Sequence, residues 1–368
     1  MSISQREPLK AARRVAVKVG TRVVTREDGG VALGRLGRLA EQIQGLRREG
    51  REVLLVTSGA IGLGAERLGF ARRPTGVIDR QACAAAGQGA LMALYGSLFQ
   101  HVGITTGQVL LTEDDFADRR RHVNLAGTLQ RLLALGAVPI INQNDSVSAD
   151  ELILNGKIFG DNDQLAALVA GGLGCDALVL LTDVDGVYTA PPSHEGAERI
   201  SIWDDHDVRI GALSEGGRGG MGAKISAAGV ATAAGVHVVI ASGFAEDSLR
   251  AALSGADIGT FFPAASGMNR RRQWLAFAAA PGGVIEVNVG ARRAMVSANA
   301  SLLPPGIVSV TGEFDAGAIV SVCCEGREFA RGRTELAASD LRALKSSSAK
   351  SRAVVHRDHV VIMIGGVP

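Results

Sequence analysis

The chain has 368 residues, of which 46% are hydrophobic and 4% aromatic, with a formal net charge of +2. That length allows about two domains with their own cores, and the near-neutral charge gives no general reason to expect nucleic acid or an anionic membrane as partner. The 48 glycines follow no three-residue period, which excludes a collagen-like chain. Four scattered cysteines, Cys83, Cys175, Cys323 and Cys324, make neither a disulfide framework nor a CxxC metal site, which points to a reducing compartment. The N-terminus lacks an apolar leader core, and no apolar run approaches ~18 residues. The expectation is a cytoplasmic protein without membrane association.

Residues 13–19 (RRVAVKV) read as a first buried strand that ends at Lys18, Gly20 and Thr21. A buried, unpaired ammonium is costly. Lys18 therefore either lays its stem along apolar surface with the head in water or reaches an anion, and both readings stay open locally. A helix follows over 33–49, with Leu33, Leu36, Leu39, Ile43 and Leu46 at helical spacing. Residues 52–57 (EVLLVT) form a second strand that runs into Ser58, Gly59 and further glycines before a helix. Such a turn puts backbone N–H groups and a helix N-terminus at a strand's carboxyl end.

An Ala-rich helix is expected over 78–101, a strand ending over 109–112, a helix over 119–135 and a strand over 137–142. The last opens into the polar cluster Gln143, Asn144, Asp145 and Ser146. Residues 158–164 read IFGDNDQ, in which Asp161, Asn162 and Asp163 precede an apolar helix. One Asp or Asn suffices to cap a helix; three exceed that need, so some of these side chains face a ligand. A strand over 176–182 ends at Thr182 and Asp183, and EGGRGGMGAK (215–224) leads into another helix. A strand over 236–243 and a short helix over 247–253 complete the alternation. The pattern predicts an α/β fold, an open and mainly parallel sheet sandwiched by helices, with ligands at the carboxyl ends of its strands. From Met268 the texture changes to short strand-like pieces at 284–288, 307–310 and 319–323, separated by Gly and Pro turns. They predict a small β-rich second domain, in which His356 and His359 read as a strand end rather than a metal site.

No GxxxxGK[ST] loop occurs, and the GxGxxG at 217–222 lacks the preceding strand that a dinucleotide site requires. A Gly-rich loop that reaches Lys224 at a helix start suits phosphate better. Phosphoryl transfer depends on positioning and charge neutralisation. An alcohol acceptor needs a base, whereas a carboxylate, with pKa ~4.3, is already ionised near neutrality. Lysines without a histidine base lean toward a kinase that forms an acyl phosphate.

The stretches VKVGT (17–21), VTSGAIGLG (56–64), INQND (141–145), FGDND (159–163), LLTDVDGVY (180–188) and GGMGAK (219–224), in this order, resemble the amino-acid kinase superfamily, and more narrowly its glutamate 5-kinase family. VNVGARRA (287–294), SLLPPGIVSVTGEF (301–314) and VVHRD (354–358) resemble the PUA domain, a small β-barrel-like module. The resemblance implies an amino-acid kinase domain over 1–265, a linker over 266–283 and a PUA-like domain over 284–368. It implies ATP-dependent phosphorylation of the L-glutamate side-chain carboxylate, the first step of proline biosynthesis. Lys18 and Lys224 would stabilise the transferred phosphoryl group, with Asp163 orienting them. Ser58, Gly59, Asp145 and Asn162 would hold glutamate, Asp145 and Asn162 toward its amino end. Thr182, Asp183, Arg218, Gly219, Gly220, Met221, Gly222, Ala223 and Lys224 would border ATP beside Lys18. Mg²⁺ would be held chiefly by nucleotide phosphates, with no protein metal site.

The same resemblance implies feedback inhibition by proline, a homo-oligomer (dimer or tetramer) and a functional partnership with glutamate-5-semialdehyde dehydrogenase. The sequence departs from the family pattern at Gln143, Arg218, Ala223 and Arg22, and ARGRTELAASDL (330–341) lacks the usual NYSS-like element of the PUA module, so RNA binding stays open. The alternatives are another member of the superfamily, such as an N-acetylglutamate kinase, or an RNA-binding protein with a degenerate kinase domain.

Overall fold

The structure, a computed structural model, describes residues 3–26, 29–112, 114–117, 119–147, 162–204, 220–265, 281–298, 300–344 and 353–362. The chain divides into two compact units, one of residues 1–115 and 119–266, the other of 116–118 and 267–368. In chain order the first elements are a 3-10 turn (Ile3–Arg6), α1 (Glu7–Lys10), β1 (Arg14–Val19), α2 (Thr21–Val24), α3 (Leu33–Arg48), β2 (Glu52–Val56), α4 (Ala60–Arg67) and α5 (Val77–His101). Next come β3 (Thr106–Leu111), α6 (Asp114–Ala117), α7 (Arg119–Ala134), β4 (Val138–Gln143), α8 (Asn162–Gly172), β5 (Ala177–Thr182), α9 (Met221–Ala233), β6 (His237–Ser242), α10 (Ser248–Leu253) and β7 (Thr260–Phe262).

These strands make a seven-stranded sheet in the order β3-β4-β2-β1-β5-β6-β7. Every pairing is parallel except β6 with β7. The predicted open, mainly parallel α/β sheet is therefore the observed one. Its central strands are apolar nearly end to end because helices cover both faces: β1, β2 and β5 bury almost every residue. On α3, Leu36, Leu39, Ile43 and Leu46 face this core at helical spacing. The chain leaves β1 toward β2 on one side and later returns to β5 on the other, so the strand order reverses beside β1. A crevice opens at the carboxyl ends of the strands at such a point.

Helix α5 is long and apolar enough to cross a membrane, and Leu91, Tyr95 and Phe99 on it lie in the core of this unit. It meets α4 backbone to backbone. A Cβ on Gly87 would fall within 2.5 Å of the Gly64 amide nitrogen and closer still to the Ala60 carbonyl oxygen. Two glycines at one crossing thus permit an approach that no larger pair allows.

The second unit contains β8 (Gly283–Val287), α11 (Val289–Ala298), β9 (Ile307–Thr311), β10 (Ile319–Cys324), β11 (Arg327–Thr334), α12 (Ala338–Leu344) and β12 (Val355–Ile362). Its five-stranded sheet runs β12-β11-β10-β8-β9, around a core that includes Ile285, Val287, Leu302, Val320, Val322 and Val355. The β-rich character agrees with the sequence reading, which missed β11 and the helices α11 and α12 and placed only a strand end at His356 and His359 where β12 runs. In β11 (REFARGRT) arginines interrupt the apolar alternation, so the period of two is weak. His356 lies at the starting end of β12 as its second residue and His359 further along as its fifth, with ring centroids 5.9 Å apart.

Candidate active site

The carboxyl ends of β1, β2, β4 and β5 and the N-termini of α4, α8 and α9 carry the polar residues singled out by sequence. Lys18 is the penultimate residue of β1 and is only 4% exposed. Its ammonium reaches an anion: Nζ lies 2.5 Å from Asp163 Oδ1. Lys224, in the first turns of α9, donates from Nζ to Asp163 Oδ2 at 3.0 Å. Asp163 itself is fully buried at the start of α8. One carboxylate therefore holds two ammonium groups, one on each oxygen. Burial alone pushes the Asp163 carboxyl up, but Lys18 and Lys224 outweigh it and hold it below the usual carboxylate range. The three groups leave a net positive charge in a poorly solvated place, which suits an anion.

A second cluster adjoins through Asn162, the neighbour of Asp163 in sequence. Asn162 Nδ2 donates to Ser58 Oγ at 3.0 Å and to Asn142 Oδ1 at 3.1 Å. Ser58 is buried just beyond β2, and Gly59 after it takes φ of +104° at the start of α4, a left-handed value open to glycine at no steric cost. Behind Ser58, Thr57 Oγ1 and the Tyr95 hydroxyl are 2.8 Å apart in a fully buried contact, which braces the end of β2 against α5. Burial pushes the Tyr95 phenol up to about 12, so it stays protonated. Asp145 occupies the turn after β4 and is half-buried.

Thr182, at the end of β5, donates from Oγ1 to Asp183 Oδ1 at 2.9 Å. Arg22, one of the departures from the family pattern, has its partner here: its guanidinium donates to Asp183 Oδ2 at 2.6 Å. Burial raises the Asp183 pKa, and the bonds from Arg22 and Thr182 more than reverse this, so the carboxyl sits below its ordinary value. Gly220 is extended and precedes α9 without a side-chain cap, so the first N–H groups of Met221 and Gly222 lack intrahelical acceptors. Ala223 lies in the same turn. Arg218, Gly219 and Asp161 lie outside the described residues.

The structure thus joins Lys18, Asp163 and Lys224 in one contact set, Ser58 and Asn162 in a second, and Thr182 and Asp183 in a third. Asn142, Gln88 and the Thr57–Tyr95 pair were missed as site residues. Asn142 stands in the quoted INQND stretch but reads as the end of an apolar strand. Gln88 offers one signal, an amide side chain within the small and apolar stretch 82–94 of α5. Among the described residues no group of three or more His, Cys, Asp or Glu could hold a metal ion.

Comparison with known proteins follows the same two parts. Residues 13–242 match the amino acid kinase family, and residues 283–356 match the PUA domain. Among relatives, the glutamate 5-kinase of Moorella thermoacetica is 41% identical, covering 96% of this chain and 97% of its own. That of Myxococcus xanthus is 43% identical over 97% of this chain and 98% of its own. That of Synechococcus sp. (strain JA-3-3Ab) is 42% identical over 95% of this chain and 98% of its own.

Proposed function

The chain belongs to the amino acid kinase family and, within it, to the glutamate 5-kinases; on that premise we propose that it transfers the γ-phosphoryl group of ATP to the side-chain carboxylate of L-glutamate, giving L-glutamyl 5-phosphate and ADP. The observation that carries the chemistry is the buried Lys18–Asp163–Lys224 set, two cations held at fixed positions by one carboxylate. A carboxylate oxygen of glutamate attacks the γ-phosphorus as the bond to the β,γ-bridging oxygen breaks. No proton moves, because the acceptor is ionised near neutrality, and this is consistent with a site whose described contacts include no histidine. Lys18 and Lys224 neutralise charge on the phosphoryl oxygens. Asp163 orients both ammonium groups and is not a base, since each of its oxygens is engaged.

Ser58, Gly59, Asp145 and Asn162 hold glutamate in this reading, the last two toward its amino end. Thr182, Asp183 and residues 218–224 border ATP. The uncapped start of α9 fits phosphate oxygens, with Gly220, Met221 and Gly222 supplying backbone N–H groups beside Ala223. Mg²⁺ would be held chiefly by the nucleotide's phosphates and would add positive charge there, alongside that of Lys18 and Lys224. From the resemblance alone come feedback inhibition by proline at or near the glutamate site, a homo-oligomer and delivery of the product to glutamate-5-semialdehyde dehydrogenase in proline synthesis, whereas the cytoplasmic location rests on the scattered cysteines, which form no disulfide framework. The domain division at 1–265, 266–283 and 284–368 belongs to the same reading.

The test is ADP release with ATP and Mg²⁺ against L-glutamate, N-acetylglutamate and aspartate, with hydroxylamine to trap an acyl phosphate. Hydroxamate is expected from L-glutamate. Turnover restricted to N-acetylglutamate, or no ADP release with any acceptor, overturns the reading.

A further inference from the structure

Helix α5 enters the site through Gln88, and a row of amides gives that residue a definite polarity. The backbone N–H of Gln143 donates to Asn142 Oδ1 at 2.9 Å. A backbone N–H can only donate, so this bond identifies the oxygen of the Asn142 amide and sets its nitrogen on the other side. Asn142 Nδ2 then donates to Gln88 Oε1 at 2.8 Å, which leaves Gln88 Nε2 as the free end. On the opposite flank, Asn142 Oδ1 also accepts from Asn162 Nδ2 at 3.1 Å, which leaves Asn162 Oδ1 free. Asn142 is 1% exposed, so water does not scramble the chain.

Both free ends are buried and have no hydrogen-bond partner among the described residues. They differ in sign: Gln88 Nε2 is a donor and Asn162 Oδ1 an acceptor. A buried polar atom left unpaired is destabilising, and a ligand that pairs both removes that penalty. The head of an α-amino acid carries one carboxylate and one ammonium, the complement of this donor and acceptor.

We infer that Gln88 is a further acceptor-binding residue, whose Nε2 donates to the α-carboxylate of glutamate while Asn162 Oδ1 accepts from the ammonium group. Asn142 is a positioning residue that sets the direction of both amides. The inference rests on the reading that the acceptor is an α-amino acid.

Gln88→Glu isolates the claim. It keeps an oxygen for Asn142 Nδ2 and replaces the Nε2 donor with an acceptor of nearly the same shape. Two quantities are measured in the full-length protein: the KM for L-glutamate, and the inhibition constant of 4-aminobutyrate, which lacks the α-carboxylate, competing with glutamate. The glutamate KM is expected to rise about tenfold or more, the loss of a charged hydrogen bond, while the 4-aminobutyrate constant changes by less than about threefold. Equal changes in the two, or no change in either, overturn the inference, because a merely structural role affects both ligands alike. Gln88→Met, which removes the donor without adding charge, gives the same pattern and serves if the Glu variant does not fold. Wild-type protein that releases no ADP with L-glutamate marks failure of the functional reading instead.

Discussion

Lys18 Nζ lies 2.5 Å from Asp163 Oδ1, and both groups are buried. Truncating one partner of such a pair leaves the other charge without compensation, at a cost of about 3–5 kcal/mol. Asp163→Asn strands two ammonium groups at once and falls in or above that range at pH 7. The sign of its pH dependence follows from the depressed Asp163 pKa. The stabilisation is complete above the unfolded carboxylate value of about 3.9 and disappears as pH falls through the lower folded value. Urea unfolding of wild type and variant from pH 7 to pH 3 should show a stability gap that narrows only at the acid end. A gap that stays constant to pH 3 would remove the ion pairs as its cause.

Gly87→Ala tests the crossing of α4 with α5. The new methyl group meets backbone atoms of Ala60 and Gly64, which cannot rotate away as a side-chain tip does. Overpacking of this kind costs about 1–3 kcal/mol or more. Because α5 also carries Gln88 and Tyr95, the variant should raise the glutamate KM as well as lower the urea midpoint. Gly89→Ala, where an added Cβ meets nothing within 4 Å, is the control and should leave both close to wild type.

The difference between Lys18 and Gln88 marks how far the sequence was legible. Lys18 stands out because a charge in an apolar strand contradicts its surroundings, and the strand ends at Ser58, Asp145 and Thr182 stand out because polar residues abruptly follow apolar runs. The alternation that yields the parallel sheet is equally plain, since buried strands and amphipathic helices have different periods. Gln88 and Asn142 are silent in that respect. Each sits within a regular element, and its importance comes from a partner more than 50 residues away in the chain: Asn142 to Gln88 is a separation of 54. The tail was harder still, because β11 mixes arginines into a strand that buries only some of its side chains. Local pattern reads the elements and their ends, whereas pairings between elements depend on register and helix crossing.

Arg6→Lys probes the N-terminal turn. The guanidinium, 1% exposed, donates to the carbonyl oxygens of Ser201 at 2.6 Å, Ile258 at 2.7 Å and Ala256 at 3.0 Å, and lies 3.2 Å from Asp257 Oδ1. A lysine keeps the charge but has one nitrogen where arginine offers a planar fork. At least one buried carbonyl loses its donor, at about 1–3 kcal/mol each. Thermal unfolding should detect this for Arg6→Lys and a larger loss for Arg6→Ala, with the ATP and glutamate KM values little changed. A variant as stable as wild type would show that the fork geometry is dispensable.

Lys18 and Lys224 share Asp163 but approach from different elements, one on a strand and the other on a helix. In the proposed reaction both act on charge that develops during transfer, so their removal should appear in kcat. Lys18→Ala and Lys224→Ala are each expected to lower kcat by about 10²–10³, the scale for losing one preorganised donor at a reacting oxygen, while the glutamate KM moves by less than about threefold. Each variant also removes one of the two ammonium groups that share Asp163, so the double variant should lose less than the product of the two single effects, as residues that act as a unit do. Steady-state ADP release at saturating ATP measures all three. A single variant with near-normal kcat would dismiss that lysine from the reaction, and strictly multiplicative losses would mean that the two lysines act independently rather than through Asp163.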